Sequence, residues 1–246
     1  MDELTLEKQT KIGRRGRGVK RVQEWLTFQG FGVKPDGEFG AATEVALRRF
    51  QKKRGLEPTG IVDSATFEQL TAPMKAAVET IKPGRRTLGQ QVVAYARQHL
   101  KQGAREIGPD NSGPWVRLYM NGNEGPTWYW CAGFVCFVLK QATESMRLPM
   151  PITPSFGVDQ LASSARANDR FIEGSKAANR RRVKPGSLFL SAKDDPNDWS
   201  HVGIVVSTSD ATFASIEGNT NDEGSYDGYE VCARTRDWSM KDFIRI

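Results

Sequence analysis

Apolar side chains recur at helical spacing three times in the first seventy positions. Val19, Val22 and Leu26, with Trp25 beside them and Gln29 one turn on, form a stripe behind Gly16-Arg-Gly18. Ala42, Val45, Ala46 and Phe50 form a second behind Gly40. Between them lies Lys34-Pro-Asp-Gly-Glu-Phe-Gly40, a turn-rich connection. Thr59-Gly-Ile-Val-Asp63 then leads into Ser64 to Leu70, with Asp63 placed as an N-cap. Each Asp-containing turn feeds a helix and a Thr, so the segment predicts a small three-helix unit with an internal echo.

The pattern loosens from Thr71 to Gly84, where Pro73, Pro83 and Gly84 interrupt it, although Met74 to Ile81 has room for a short helix. Leu88, Val92, Ala96 and His99, with Tyr95, trace a new helical face between Thr87 and Lys101. Further helices are predicted over Trp130 to Thr143 and Thr153 to Ala167. After Lys184-Pro-Gly186 the period shortens toward strands at Ser187 to Leu190, His201 to Val206, Thr212 to Glu217, Tyr229 to Ala233 and Phe243 to Ile246. Helices followed by a run of antiparallel strands is an α+β pattern. The expected layout is therefore a domain over 12–72, a linker over 73–86 and a larger domain over 87–246.

Composition narrows the classes. The chain has 246 residues, 38% of them hydrophobic and 26% charged, enough apolar material for packed cores rather than disorder. Its longest nearly unbroken apolar run is Trp128 to Leu139, where a membrane span needs about 20 residues, so no membrane insertion is expected. The first 25 residues carry seven basic and four acidic side chains and no apolar stretch, so no signal peptide is visible. The net charge of +6 is divided evenly about Met74. The basic clusters Arg14 to Arg21, Arg48 to Arg54 and Arg180 to Lys184 lack interleaved aromatics, so no nucleic-acid partner is expected. Three cysteines are too few and too odd in number for a disulfide framework.

One of them has the makings of a nucleophile. Cys131 opens Trp130-Cys-Ala-Gly-Phe-Val135 just after Gly125-Pro126, which places its sulfur at a helix N-terminus, where unpaired N–H groups and the helix dipole favour thiolate. Cys136 lies five residues on, about 140° around the helix, and reads as a buried small hydrophobe; Cys232 sits in a strand. A thiol needs a base, and the histidines are His99 and His201. His99 lies on an amphipathic face and reads as a core or boundary residue. His201 heads Ser-His-Val-Gly-Ile-Val-Val206 at the mouth of a strand, and Glu217-Gly-Asn219 places two polar groups on one face of the next strand by period two. Either of that pair is suited to hold the second imidazole nitrogen.

Two resemblances follow from these residues. Gly16-x-x-Val19-x-x-x-Gln23, Asp36-Gly37-Glu38-Phe39-Gly40-x-x-Thr43, Phe50-Gln51 and Gly60-Ile61-Val62-Asp63-x-x-Thr66 together resemble the three-helix peptidoglycan-binding domain found on many wall hydrolases. Trp-Cys-Ala-x-Phe-Val at a helix start, His-Val-Gly-Ile-Val on a strand and Glu-Gly-Asn on the next resemble the CHAP family of cysteine, histidine-dependent amidohydrolases and peptidases. Glu106-Ile-Gly-Pro-Asp-Asn111-Ser-Gly113-x-x-Val116 looks like the approach segment of such domains. The resemblances imply a papain-like catalytic domain behind a wall-binding one, with bacterial peptidoglycan as partner. They further imply Cys131 as nucleophile, His201 as general base and Glu217 with Asn219 as the orienting pair. The layout resembles a modular phage endolysin, acting on the wall from the periplasm or from outside, and a secretion-delivered toxin has the same layout.

Trp128, Trp130 and Trp199 stand beside Cys131 and His201 in sequence and are expected to wall the substrate site. A monomer without metal or cofactor is expected: two histidines fall short of the three protein ligands usual at catalytic zinc. Asn219-x-Asn221-x-Glu223-Gly224, ending in Glu230, departs from calcium-loop spacing in its first residue and in its strand flanks. Asp194, Asp195 and Asp198 read as a solvated loop. The rival readings are a non-catalytic wall-binding protein and an acyltransferase on the same scaffold.

Overall fold

The computed structural model describes residues 2–193, 195, 198–221 and 228–246. Helices come first and an antiparallel sheet of six strands follows, an α+β fold. The chain divides into two compact units, Met1–Ala76 with Arg105–Pro126, and Ala77–Ala104 with Thr127–Ile246.

The first unit is built on α1 (Arg17–Phe28), α2 (Ala41–Lys53) and α3 (Ser64–Val78). Trp25, Leu26, Leu47, Phe50 and Leu70 are fully buried between them. The echo seen in the sequence has a physical counterpart in two buried glutamines. Gln23 Nε2 donates to Asp36 Oδ1, the Glu38 carbonyl and Thr43 Oγ1, and its Oε1 accepts from the Gly37 N–H at 2.8 Å. Gln51 repeats this on the second turn: Nε2 donates to Thr59 Oγ1, the Ile61 carbonyl and Thr66 Oγ1, and Oε1 accepts from the Gly60 N–H at 3.0 Å. Gly37 and Gly60 both hold positive φ, at 77° and 69°. A buried amide with every bond made specifies its loop, whereas one left unpaired costs about 1–3 kcal/mol. Asp63 Oδ1 accepts from the Thr66 N–H at 2.8 Å and caps α3 as its position predicts.

Two boundaries differ from the sequence expectation. α3 runs through Pro73 to Val78, so the segment 73–78 is helix rather than linker. Proline lacks the N–H that would bond the Gln69 carbonyl, and Gln29 Nε2 donates to that carbonyl at 3.4 Å and to Leu70 O at 2.9 Å instead. The second difference is the segment 105–126, expected within 87–246, which packs in the first unit. It carries α5 (Pro114–Tyr119), with proline at its first turn. Six residues are too few for a periodic signal; packing defines this helix. The Trp115 ring lies 6.3 Å from Trp25 and 5.8 Å from Phe28. Arg117 meets Glu3 at 2.7 Å, Glu24 at 2.6 Å and Glu124 at 2.6 Å.

The second unit holds α4 (Leu88–Lys101), α6 (Cys131–Met146) and α7 (Val158–Ala167) with strands β1 (Phe171–Ile172), β2 (Leu188–Ala192), β3 (Trp199–Thr208), β4 (Thr212–Thr220), β5 (Glu230–Asp237) and β6 (Lys241–Ile244). Thr87 and Gln90 close a capping box on α4. The strand order is β1-β6-β2-β3-β4-β5, all antiparallel. α4 and α6 pack on each other and on β3 and β4. Both faces of the central strands are buried, which is why β3 reads as a continuous apolar run. Leu188, Leu190, Val202, Ile204 and Ile216 share one face by register. Phe189, Val205 and Phe213 join Trp238 and Phe243 in a core cluster on the other.

Candidate active site

Cys131 is the first residue of α6, and no side chain caps that helix by bonding from its N-cap, Trp130. The Trp130 N–H instead donates to Asn219 Oδ1 at 3.2 Å. Asn219, on β4, thereby pins the turn that presents Cys131. At the first helical position the Cys131 N–H has no intrahelical acceptor and faces outward along the axis with the positive end of the helix dipole.

His201 lies on β3, 2% exposed. Its Nε2 is 2.9 Å from Glu217 Oε2. Its Nδ1 is buried and makes no well-aligned hydrogen bond, and Cys131 is the second side chain that acts on the ring. Burial pulls the imidazole down, but the interactions with Cys131 and with the Glu217 carboxylate outweigh it and raise His201 to about 9. Burial likewise pushes Glu217 up. Bonds from Arg236 and His201 prevail and hold it down at about 2. Glu217 is fully buried and accepts from four donors: Arg236 Nε at 2.9 Å, Arg236 Nη2 at 2.6 Å, Ser215 Oγ at 2.5 Å and His201.

The strand register explains the meeting. Glu217 pairs with Gly203, two residues beyond His201 on the same face. A Cβ at Gly203 would stand 2.6 Å from the Phe189 ring and 2.7 Å from Glu217 Cγ; glycine leaves the lane through which the carboxylate reaches the imidazole. Arg236 pairs with Phe213, which shares the Glu217 face by period two, and its long side chain covers the remaining distance.

Glu217 and Asn219, expected to act together on His201, are given different partners. The pairing of β4 and β5 shifts between Glu217 and Thr220, and Asn219 adopts φ 56°. That left-handed residue breaks the alternation on which the shared-face expectation rests. Sequence reasoning also passed over Arg236, Ser215 and Gly203. The signal for Arg236 was an arginine on the same strand face as Cys232, opposite an otherwise buried strand.

The tryptophans are a correction. Trp130 is fully buried and Trp199 is 4% exposed, so neither offers a face to a polymer. Trp199 donates from Nε1 to Asp242, meets the Phe171 ring edge to face, and has the Arg166 guanidinium over its ring. Trp128 is half-buried, and its ring meets Phe156 at 6.1 Å. Tyr129, 52% exposed, and Phe156, 42% exposed, lie near it in sequence or in ring contact, and Tyr229, 52% exposed, is a further outward aromatic of this unit.

The remaining candidates are accounted for by packing. His99 is fully buried, pulled down to about 4 by burial, and bonded to Gln141 at 2.8 Å. Cys136 donates to the Ser155 carbonyl, and burial pushes its thiol up to about 11. Cys232 is buried opposite Glu217. Of the calcium-like sequence, Glu223 and Gly224 lie outside the described residues, as does Asp194, while Asn219 spends its side-chain oxygen on Trp130. Among the described residues no three His, Cys, Asp or Glu side chains are grouped to hold a metal ion, and no helix is long and apolar enough to cross a membrane.

No curated protein matches the chain. Residues 15–70 match the family model of the peptidoglycan binding domain, across α1, α2 and the start of α3. The N-terminal segment is thus similar to a peptidoglycan-binding domain, and that similarity supports peptidoglycan as a partner and an association with the cell wall.

Proposed function

We propose that the second unit hydrolyses an amide bond of peptidoglycan through a Cys131 thioester, and that the first unit holds it on the wall. The observation that carries the reading is the grip of buried Glu217 on the His201 imidazole at 2.9 Å, in the unit where Cys131 opens α6. The resemblance of the surrounding residues to the CHAP family supports it.

With His201 raised to about 9, the ring carries its proton at neutral pH and stands beside Cys131 as an imidazolium. The thiolate Sγ attacks the carbonyl carbon, and the π electrons move to oxygen. The Cys131 N–H is aligned to stabilise that oxyanion. Collapse expels the amine, which takes its proton from His201, and leaves a thioester. His201, now neutral, removes a proton from water as the water attacks the thioester. The second collapse releases the carboxylic acid and regenerates thiolate and imidazolium. Glu217, held ionised at about 2, keeps the ring oriented throughout.

The bond is the muramoyl–L-alanine amide or one within the stem or cross-bridge peptides. Purified sacculi digested with the full chain are expected to release new amino groups without new reducing ends. Glycan cleavage typically needs two carboxylates flanking the glycosidic bond, so reducing ends as the main product, read by mass spectrometry, would overturn the reading. EDTA should leave the rate unchanged, because thiolate, imidazolium and the Cys131 N–H supply every proton and charge the steps require.

A further inference from the structure

The first unit contains two arginines drawn in from solvent, Arg117 half-buried and Arg21 buried, with opposite fates. Arg117 makes three contacts of 2.6 to 2.7 Å with carboxylates, so its guanidinium is saturated. Arg21, on α1 and 5% exposed, is not. Its Nη2 donates to the Thr5 carbonyl at 3.3 Å, while Glu3 and Glu7 stand 3.7 Å away, beyond hydrogen-bond length. Arg21 Nε is buried and makes no hydrogen bond. A buried guanidinium with an idle N–H is costly unless something completes it.

The space beside it is a cavity of about 180 Å³, well above what one water needs. Val19 and Phe67 give it an apolar floor, and Lys8, Arg14 and Arg15 stand with Arg21 around it. The Arg14-Arg15 rim is fixed by backbone bonds: Phe39 N–H donates to Arg14 O, and Gly16 N–H to Gly37 O, each at 2.9 Å. Glu7 is the acid that lines the cavity, and its side chain is 71% exposed. A cationic rim over an apolar floor fits a carboxylate borne next to a small apolar side chain. It does not fit a sugar ring, which stacks on exposed aromatics: every aromatic of this unit is buried or half-buried.

We infer that this cavity is a carboxylate subsite for the free C-terminal end of a wall peptide, with Arg21 as its main cation and Glu7 as a placeholder that swings aside. The inference rests on the wall-binding role of residues 15–70 and specifies which part of the polymer that unit grips. The ligand carboxylate replaces the long Glu7 contact with short charge-assisted bonds to Arg21 and the rim.

The test uses the full chain and two probes, acetyl-L-Lys-D-Ala-D-Ala and its C-terminal amide, measured by calorimetry alongside pelleting with sacculi. The free acid should bind about tenfold more tightly than the amide, the difference of one charge-assisted pair. Glu7→Gln, on an exposed side chain that does not hold the fold, should tighten the acid and leave the amide unchanged. The double variant Arg14→Gln with Arg15→Gln should weaken the acid alone. Equal binding of acid and amide, or pelleting with sacculi while neither probe binds, would overturn the carboxylate subsite and leave wall binding standing. Failure of the unaltered chain to pellet would sink both.

Discussion

Arg236 grips Glu217 with both arms of its fork, Nε to Oε1 at 2.9 Å and Nη2 to Oε2 at 2.6 Å, and that same Oε2 faces His201 Nε2. The imidazole is thus oriented by a carboxylate that is itself clamped. Arg236→Met would leave a fully buried carboxylate with Ser215 and His201 alone. Breaking a buried pair costs roughly 3–5 kcal/mol, and the 21% exposure of Arg236 puts the expected loss at about 3 kcal/mol. Chemical denaturation reads the stability, and amine release from sacculi should fall with it. A variant as stable and active as the parent would show that the clamp is idle.

The pH dependence follows from opposite shifts in the two histidines. His201 is raised to about 9, so its contribution is complete below its unfolded value near 6.5 and is lost as pH rises through 9. His99 is depressed to about 4, so its contribution is complete above about 6.5 and is lost as pH falls toward 4. Glu217, depressed to about 2, adds stability that is present above about 4.5 and lost as pH falls through 2. These groups together place maximal stability near pH 6.5. Because the chain has two histidines, imidazole NMR should show one titration near 9 and one near 4. Two ordinary titrations near 6.5 would refute the geometry around both.

Cys131 and Cys136 should separate cleanly. Cys131→Ala is expected to abolish amine release and to spare folding. Cys136→Ala should keep most activity, since its thiol is pushed up to about 11 and bonded to Ser155, at a stability cost of about 1 kcal/mol. Iodoacetamide at neutral pH should label Cys131 first. An inactive Cys136→Ala beside an active Cys131→Ala would reassign the nucleophile.

Gly203→Ala tests the lane between the strands. The added methyl would meet Phe189 and the Glu217 stem inside contact distance. Moving the carboxylate away should bring the His201 titration down toward its ordinary value. An unchanged titration would show that Glu217 does not set it.

The assignment of residues 105–126 to the first unit is tested at Trp115, which is fully buried against Trp25 and Phe28. Trp115→Ala should cost about 3–5 kcal/mol and weaken pelleting with sacculi. If it lowered amine release from soluble muropeptides instead and left pelleting intact, the segment would belong with the proposed catalytic residues of the second unit.

The chain pattern by itself determined the order of elements: three amphipathic helices with Asp-Gly turns, further helices, then antiparallel strands. That information is local, carried by spacing, caps and turn residues, and it reaches as far as placing Cys131 at a helix start and His201 on a strand. What the tertiary structure decided is everything that depends on which distant surfaces meet. Six-residue α5 has no periodicity of its own and is defined by Trp25, Phe28 and the carboxylates around Arg117. Trp130 and Trp199 neighbour the site in sequence, yet burial directs their rings into the core. A shift of register at the end of β4 sends Glu217 to His201 and Asn219 to the α6 turn. Arg236, nineteen positions beyond Glu217, reaches it because β5 returns antiparallel alongside β4. Period and propensity act over a few residues, whereas these contacts are fixed by register and packing, which no short stretch of sequence encodes.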